Sequence, residues 1–326
     1  MFPSALPRSL RTGLAALLLT LGAAASAAYP DRPIRIVVGF PPGQATDLVA
    51  RIMARKLQDV LAQPVFVENK PGASGIIGTE QVVKAAPDGY TLLMGSSGTL
   101  AINPSLYSKL SYKPLADLTP ISQIANVPLF LAVNKDFPAH NASEFVSLVK
   151  AQPGKLSYGS AGSGVTSHLT MELLKQQLGL FIVHVPYKGS PAAVTDLIGG
   201  QVQAMVDTGP ALLQHHRSGK IRVLAVASAN RNDAARDVPT MAEAGVGKFE
   251  APAWLALMAP KGTPKEVGDT LYAALAKVWR EPDVKEQLAA IGSEPLLTRP
   301  DELARHIDEE IKRWAVAVKV SGARVD

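Results

Sequence analysis

Ile34-Arg35-Ile36-Val37-Val38 leads into the loop Gly39-Phe40-Pro41-Pro42-Gly43-Gln44-Ala45-Thr46, which leads into a segment opening on Asp47-Leu48-Val49-Ala50. The first piece is a short β-branched run that ends at a glycine, the pattern of a buried strand. In the last, Leu48, Val49, Ile52, Met53, Leu57 and Leu61 keep helical spacing. Strand, Pro/Gly loop, helix is therefore the unit, and the rest of the chain repeats it. Strand-like runs recur at 65–68, 90–94, 129–133, 156–158, 182–185, 202–206 and 221–227. Helical patterns stand between them: one through Val82 and Val83, one opening on Asn141-Ala142-Ser143-Glu144, one ending at Gly179 and one over 191–198. The Asn141 segment has the form of a capping box, a capping side chain with Glu three residues on. Strands alternating with helices at this spacing predict an α/β fold with mainly parallel sheets. The last third is more helical, over 264–280, 283–291 and 301–318.

The chain has 326 residues, 47% hydrophobic and 19% charged, with no cysteine. It is too apolar for a disordered chain and long enough for two lobes. The missing cysteine excludes disulfides, a zinc ribbon, a thiol nucleophile and a lipobox tether. At the front, Arg8 and Arg11 precede the apolar run Leu14 to Ala25, and Ala25-Ser26-Ala27-Ala28 follows. That run is too short for a membrane span and ends in an A-x-A-type site, so residues 1–27 read as a cleaved signal peptide. Removing it lowers the net charge from +5 to +3. Lys and Arg are scattered, so the concentrated cationic footprint of a nucleic-acid binder is missing. The mature chain is expected to be exported and soluble.

No low-complexity linker divides the chain. The apolar runs 121–133 and 223–228 are the candidate crossings between two lobes. The expected division is lobe 1 from 28–126 plus 228–326, and lobe 2 from 127–227.

Four loops rich in small and hydroxyl residues follow strands. In the first, residues 40–47, Thr46 is the expected helix N-cap, and the free N–H groups of the first turn suit an anion. The second is Tyr158-Gly159-Ser160-Ala161-Gly162-Ser163-Gly164-Val165-Thr166-Ser167-His168. Its glycines allow close backbone approach and its hydroxyls add donors. It is an incomplete dinucleotide fingerprint, with Ser167 at the third position, so an anion cradle is the better reading. Gly72-Ala73-Ser74-Gly75 and Gly95-Ser96-Ser97-Gly98-Thr99 are the supporting loops. Tyr187 and Lys188 follow the 182–185 run: the lysine is either a point charge for an anion or a solvated side chain. Asp207 ends the 202–206 run and is either a helix cap or a group in the crevice.

Catalytic patterns are poor. Gly-x-Ser-x-Gly is absent, since Thr99 follows Ser97 where glycine is needed. There is no His-Glu-x-x-His, and His215-His216 are adjacent rather than four apart. His168 reads as structural, packed beneath the second loop. Glu309-Glu310 reads as a solvated helical pair. No phosphate-binding loop ends in Gly-Lys-Ser/Thr. No cofactor, metal or catalytic residue is expected.

Several segments together resemble the tripartite tricarboxylate transporter receptors, the Bug-type solute-binding proteins. They are Tyr29-Pro30-Asp31-Arg32-Pro33-Ile34, the loop from Phe40 to Asp47 with Ala50-Arg51, and Glu68-Asn69-Lys70-Pro71-Gly72-Ala73-Ser74-Gly75. Ala86-Pro87-Asp88-Gly89-Tyr90-Thr91-Leu92-Leu93, Tyr158 to His168, Val185-Pro186-Tyr187-Lys188-Gly189 and Asp237-Val238-Pro239-Thr240 with Glu243 extend the resemblance over the mature chain. It implies a two-lobed type II periplasmic binding protein, each lobe a mainly parallel sheet flanked by helices, hinged on two crossing strands. It also implies a monomeric periplasmic receptor that captures a small organic carboxylate and delivers it to a large and a small membrane subunit. By the same resemblance the ligand-binding positions are Pro42, Gly43, Gln44, Ala45, Thr46, Ser160, Ala161, Gly162, Ser163, Gly164, Thr166 and Asp207, with Ser74, Ser97, Tyr187 and Lys188 as further candidates. Family members often carry a second glycine where this chain has Gln44. A receptor that reports its ligand to a signalling kinase, and an exported hydrolase, are the alternatives.

Overall fold

The computed structural model describes residues 29–251 and 253–323. The signal peptide expected over 1–27 lies outside the described residues. The chain begins with β1 (Ile34–Val38), α1 (Ala45–Leu61), β2 (Val65–Asn69), α2 (Ile76–Val83) and β3 (Thr91–Ser96). The short helices α3 (Asn103–Leu106) and α4 (Pro114–Asp117) then lead to β4 (Leu118–Val127). After Pro128 come β5 (Leu129–Asn134), α5 (Ala142–Ala151), β6 (Ser157–Ser160), α6 (Thr166–Leu178), β7 (Val183–Pro186), α7 (Ser190–Ile198), β8 (Ala204–Thr208), α8 (Gly209–Arg217) and β9 (Ile221–Val226). The chain ends with β10 (Ala253–Pro260), α9 (Lys265–Val278), α10 (Pro282–Ala290), β11 (Glu294–Pro295) and α11 (Pro300–Ser321).

These strands form two sheets, ordered β2-β1-β3-β10-β4-β11 and β7-β6-β8-β5-β9. Parallel pairing joins β1 to β2 and β3, and β6 to β7 and β8. β10 is antiparallel to both its neighbours, and so is β5. In each sheet four strands therefore share one direction, which is the mainly parallel arrangement the sequence predicts. Of the reversed strands, β5 and β10 each follow a passage from one sheet to the other, and the short β11 pairs antiparallel with β4 at the sheet edge. β5 and β10 each insert beside the third strand of their sheet, so both sheets share one five-strand order, to which β11 adds an edge.

The two passages lie side by side. The first is Val127-Pro128-Leu129; in the second, the Ala227 N–H donates to the Leu129 carbonyl at 2.8 Å, and the Ala251 N–H to the Ala227 carbonyl at 3.2 Å. The first passage is short, and the second is bonded to it at Ala227, so the two sheets are joined at one place, the arrangement of a hinge.

Local sequence explains the elements. In α1, Val49, Met53 and Leu57 fall on one face and are fully buried, and the helix ends where Ala62 turns left-handed. Burying each such side chain contributes ~1.5–3 kcal/mol. The helix starts at Ala45, two residues before the sequence places it, and its N-cap is Gln44 rather than Thr46. Thr46 instead lies inside the first turn, with its hydroxyl free of capping duty. Asn141 does cap α5: its Oδ1 accepts from the Glu144 N–H at 2.9 Å. The Glu144 carboxylate reaches back one residue further than expected, to the His140 N–H at 2.6 Å.

Glu310 corrects the solvated reading of its pair. It is buried and accepts from two indole N–H groups, Trp254 at 2.9 Å and Trp314 at 3.1 Å. Trp314 is one turn along the same helix, but Trp254 comes from β10, a long-range contact invisible to local patterning. Arg313 pairs with the same carboxylate at 2.8 Å.

Candidate functional site

The carboxyl ends of the parallel strands in both sheets point into a common cleft. Ligands in open α/β sheets bind beyond such ends. β1 delivers the first loop, and its shape is set by Asp47. The Asp47 carboxylate accepts from the Gly43 N–H at 2.9 Å, from Asn69 Nδ2 at 2.9 Å and from Arg51 Nε at 3.0 Å. Asn69 also donates to the Phe40 carbonyl at 3.0 Å. Burial works against the Asp47 charge, but hydrogen bonds from Arg51, Gly43 and Asn69 outweigh it and hold the carboxyl below its usual range. Gly39 lies backbone to backbone on the third loop: a Cβ there would come within 2.8 Å of Gly75.

β6 delivers the second loop, which rests on a buried aromatic stack. The His168 and His184 rings stack with centroids 3.9 Å apart, and Tyr158 stacks on His184 at 4.9 Å. His168 Nδ1 accepts from the Gly164 N–H at 3.0 Å, and the Ser167 hydroxyl from the Ala161 N–H at 3.2 Å. Burial, and then His168 beside it, push the His184 pKa down to about 4; burial also lowers that of His168. Both rings are therefore neutral at pH 7, and His168 is structural, as the sequence indicates. Beneath them Glu172 accepts from Tyr158 Oη at 2.5 Å and from Lys175 at 2.6 Å.

The two loops meet across the cleft. The Ser97 and Thr166 hydroxyl oxygens are 3.1 Å apart, and the Ser74 hydroxyl donates to the Ser163 carbonyl at 3.0 Å. Between them lies a cavity of about 70 Å³. Gln44, Ala45 and Thr46 line one side, and Ala161, Val165, Thr166 and Ser167 the other. Ser96, Ser97 and Gly98 from the end of β3, Ser190, Asp207 and Thr208, and the floor Trp254 and Leu255 complete it, with Phe40, Val127, Leu129 and Ala253. A larger vestibule of about 510 Å³ lies outside it, bounded by Phe40, Gln44, Ser74, Tyr107, Gly162, Ser163, Tyr187 and Lys188 among others.

Helices α1, α6, α7 and α8 start at this cavity, and at none of the four does an N-cap side chain take up a backbone N–H. α5, away from the cavity, is capped by Asn141. The first-turn N–H groups have no acceptor inside their helices, and the helix dipoles add positive potential at the same ends. Among the described residues no Lys, Arg or His lines the inner cavity, and Asp207 is its one titratable side chain. Asp207 is 3% exposed; it accepts from the Ser190 hydroxyl at 2.8 Å and the Thr208 N–H at 2.7 Å. Burial raises its pKa to about 6, against which those two hydrogen bonds act. It holds the start of α7 in place, and the cap position of α8 belongs to Thr208.

Of the residues marked from sequence, Gln44, Ala45, Thr46, Ala161, Thr166, Ser97 and Asp207 reach the inner cavity. Gly162, Ser163, Ser74, Tyr187 and Lys188 reach the vestibule. Pro42 and Gly43 are exposed and line neither, the Gly43 N–H being held by Asp47. Gly164 and Ser160 stay beneath the loop. Ser160 is fully buried; its hydroxyl donates to the Gly162 carbonyl at 3.0 Å and sits 2.6 Å from His184 Nε2. That serine–histidine pair supports the loop and is closed to a substrate. Tyr187 donates its hydroxyl to Asp196 at 2.7 Å; burial, and then Asp196, push its pKa up to about 12. Lys188 is exposed and has no ion pair among the described residues. Sequence reasoning did not mark Phe40, Ser96, Ser190, Thr208 or Trp254. Ser190-Pro191 at a helix start is a local signal that could have been used; Trp254 has none, because strand order alone brings it here.

Comparison with known proteins agrees with this geometry. The model of the family described as "Tripartite tricarboxylate transporter family receptor" matches residues 49–322. Protein BugT of Bordetella pertussis is 43% identical over 298 residues, 91% of each chain. The periplasmic binding protein BugD superposes with a TM-score of 0.85 at 38% identity, covering 91% of this chain and 99% of that one. Rpa4515 of R. palustris, solved with adipate, superposes with a TM-score of 0.88 at 36% identity, covering 91% of this chain and 100% of that one. No described helix is long and apolar enough to cross a membrane. With two sheets of one topology, a cleft of uncapped helix starts and a family match over most of its length, the chain belongs to the tripartite tricarboxylate transporter receptors, the Bug-type solute-binding proteins.

Proposed function

We propose that this protein is a periplasmic receptor that captures a small organic carboxylate in the cleft and delivers it to the large and small membrane subunits of a tripartite transporter. The observation that carries this is the set of four helix starts, none side-chain capped, around a cavity lined by hydroxyls and no cation. The Gly209 N–H of α8 already bonds to the Pro128 carbonyl at 3.3 Å, and an anion supplies acceptors to the starts of α1 and α6. The adipate bound to Rpa4515 is a carboxylate held in the same fold.

In this reading residues 28–126 plus 228–326 form one lobe and 127–227 the other. Residues 1–27 are removed on export, and the mature receptor works as a monomer. The Ala45 and Thr46 N–H groups and the Thr46 hydroxyl hold the carboxylate from one side, and the start of α6 with Thr166 holds it from the other. Each charge-assisted hydrogen bond contributes ~1.5–3 kcal/mol. Three or four of them supply ~5–12 kcal/mol against the cost of association. The protein binds without chemical turnover, since Ser97 faces a hydroxyl rather than a base.

Calorimetry against a panel of carboxylates, with the matching amides and amines, tests this. Acids are expected to bind and amides to fail. Amides that bind as tightly as acids, or ester turnover that is lost with Ser97→Ala, would overturn it.

A further inference from the structure

Gln44 stands between the inner cavity and the vestibule, and it lines both. The other residues shared by the two chambers are Phe40, Ala161 and Val165, all apolar in their side chains. Gln44 is 7% exposed, and its Nε2 is buried with no hydrogen-bond partner. The amide is pressed against the opposite side of the cleft: a Cβ on Gly189 would come within 2.9 Å of Nε2. A buried donor without an acceptor is rare in folded proteins and points to an absent partner.

The sizes of the two chambers say where that partner belongs. A water-sized group needs ~10–15 Å³ of such space. The inner cavity of about 70 Å³ therefore takes a carboxylate and roughly two to four further heavy atoms. A longer acid extends past Gln44 towards the vestibule, which shares that wall.

We infer that Gln44 is a specificity-determining residue: it donates from its carboxamide to an acceptor oxygen on the body of an acid whose carboxylate occupies the inner cavity. The preferred ligand is thus an oxygenated acid long enough to span both chambers. This rests on the carboxylate reading of the site and adds to it the acceptor that the ligand must carry.

The test uses four probes: acetate, 4-methylpentanoate, 4-oxopentanoate and glutarate. Calorimetry is run on wild-type protein, Gln44→Ala and Gln44→Leu. Wild type is expected to bind one or both of 4-oxopentanoate and glutarate at least tenfold more tightly than 4-methylpentanoate. A neutral carbonyl and a second carboxylate are thereby distinguished as the acceptor. Both variants should erase that preference, weakening the oxygenated acids at least fivefold more than acetate and 4-methylpentanoate. The unliganded Gln44→Leu protein should melt at or above the wild-type temperature, because an unpaired donor has been removed. Equal weakening of all probes, no wild-type preference for an oxygenated acid, or a lower melting temperature for Gln44→Leu overturns the assignment. Wild-type protein that binds none of the four acids overturns the carboxylate reading itself.

Discussion

Ser97, at the end of β3, and Thr166, in the first turn of α6, touch across the cleft with their hydroxyl oxygens 3.1 Å apart. They follow strands of different sheets, β3 and β6, and both line the inner cavity. Each hydroxyl has one donor and two acceptor sites, so the pair can bond to each other and still offer a donor to a ligand. Together with Ser74 and the Ser163 carbonyl, it brings the two sides of the cleft together.

Thr166→Val keeps the shape of the side chain and removes the hydroxyl. Carboxylate affinity should fall about 10- to 150-fold, the loss of one charge-assisted hydrogen bond of ~1.5–3 kcal/mol. Global stability should change by less than ~1 kcal/mol, because the site is partly open. Paired calorimetry and thermal melts read both quantities. An unchanged dissociation constant would remove Thr166 from the ligand contacts.

Gly162 sits at φ +147°, and a Cβ there would lie 3.4 Å from the Tyr187 carbonyl oxygen. Valine at this position meets both backbone strain and the restricted rotamers of a β-branched side chain. Gly162→Val should weaken binding more than tenfold through distortion of the second loop. The far-ultraviolet circular dichroism should match wild type, since the loop lies outside the sheets. Wild-type affinity in this variant would place the ligand away from the second loop.

Those two loops are legible in the sequence because their signals are local. Gly43, Gly162 and Gly164 mark turns at strand ends, and Thr46 and Thr166 stand where helical spacing begins. Legibility stops where long-range order decides. Pro42 and Gly43 belong to the recognised loop, yet Asp47 and Asn69 fold that loop so that Gln44 to Thr46 face inward. Ser160 looks like a free hydroxyl until His184, from the neighbouring strand, is placed beside it. Trp254 lies in an apolar run, and it becomes the cleft floor only because β10 inserts between β3 and β4. The exchange of strands between sheets likewise depends on pairing that no local window contains.

Asp207 gives the site a pH dependence with a definite sign. Its folded pKa is raised from 3.8 to about 6 by burial without a cation. Between pH 4 and pH 6 the unfolded chain has released this proton while the native state keeps it, so stability falls as pH rises through that window. At ~1.4 kcal/mol per pH unit the full penalty above pH 6 is on the order of 3 kcal/mol. Asp207→Asn should therefore stabilise the unliganded protein at pH 7.5 and have much less effect near pH 4. A bound carboxylate beside this group also favours its protonated form. Wild-type affinity for a simple acid should decline from pH 5.5 to pH 8, while Asp207→Asn stays flat. Denaturant melts and calorimetry across that range check both, and a wild-type affinity that rises with pH would show that the ligand presents a donor to Asp207 instead.

His168 supplies the last test, because its role in the second loop is that of an acceptor. Nδ1 takes the Gly164 N–H at 3.0 Å, and burial keeps the ring neutral. Asparagine carries an oxygen acceptor close to the same position, whereas leucine carries none. His168→Asn should retain most of the binding. His168→Leu leaves the Gly164 N–H buried and unpaired, a cost of ~1–3 kcal/mol, and it should weaken binding about tenfold. Acid acts in the same direction on the wild type. The native ring resists a proton that the unfolded chain accepts below about pH 6.5, so this histidine's contribution is present above that pH and is lost as pH falls. The protection factor of the Gly164 amide, measured by NMR exchange and corrected for the intrinsic rate at each pH, should fall in wild type as the pH is lowered from 7 to 5 and already be low in His168→Leu at pH 7. Equal protection of Gly164 in the asparagine and leucine variants would show that packing of the ring stack, rather than this hydrogen bond, holds the loop.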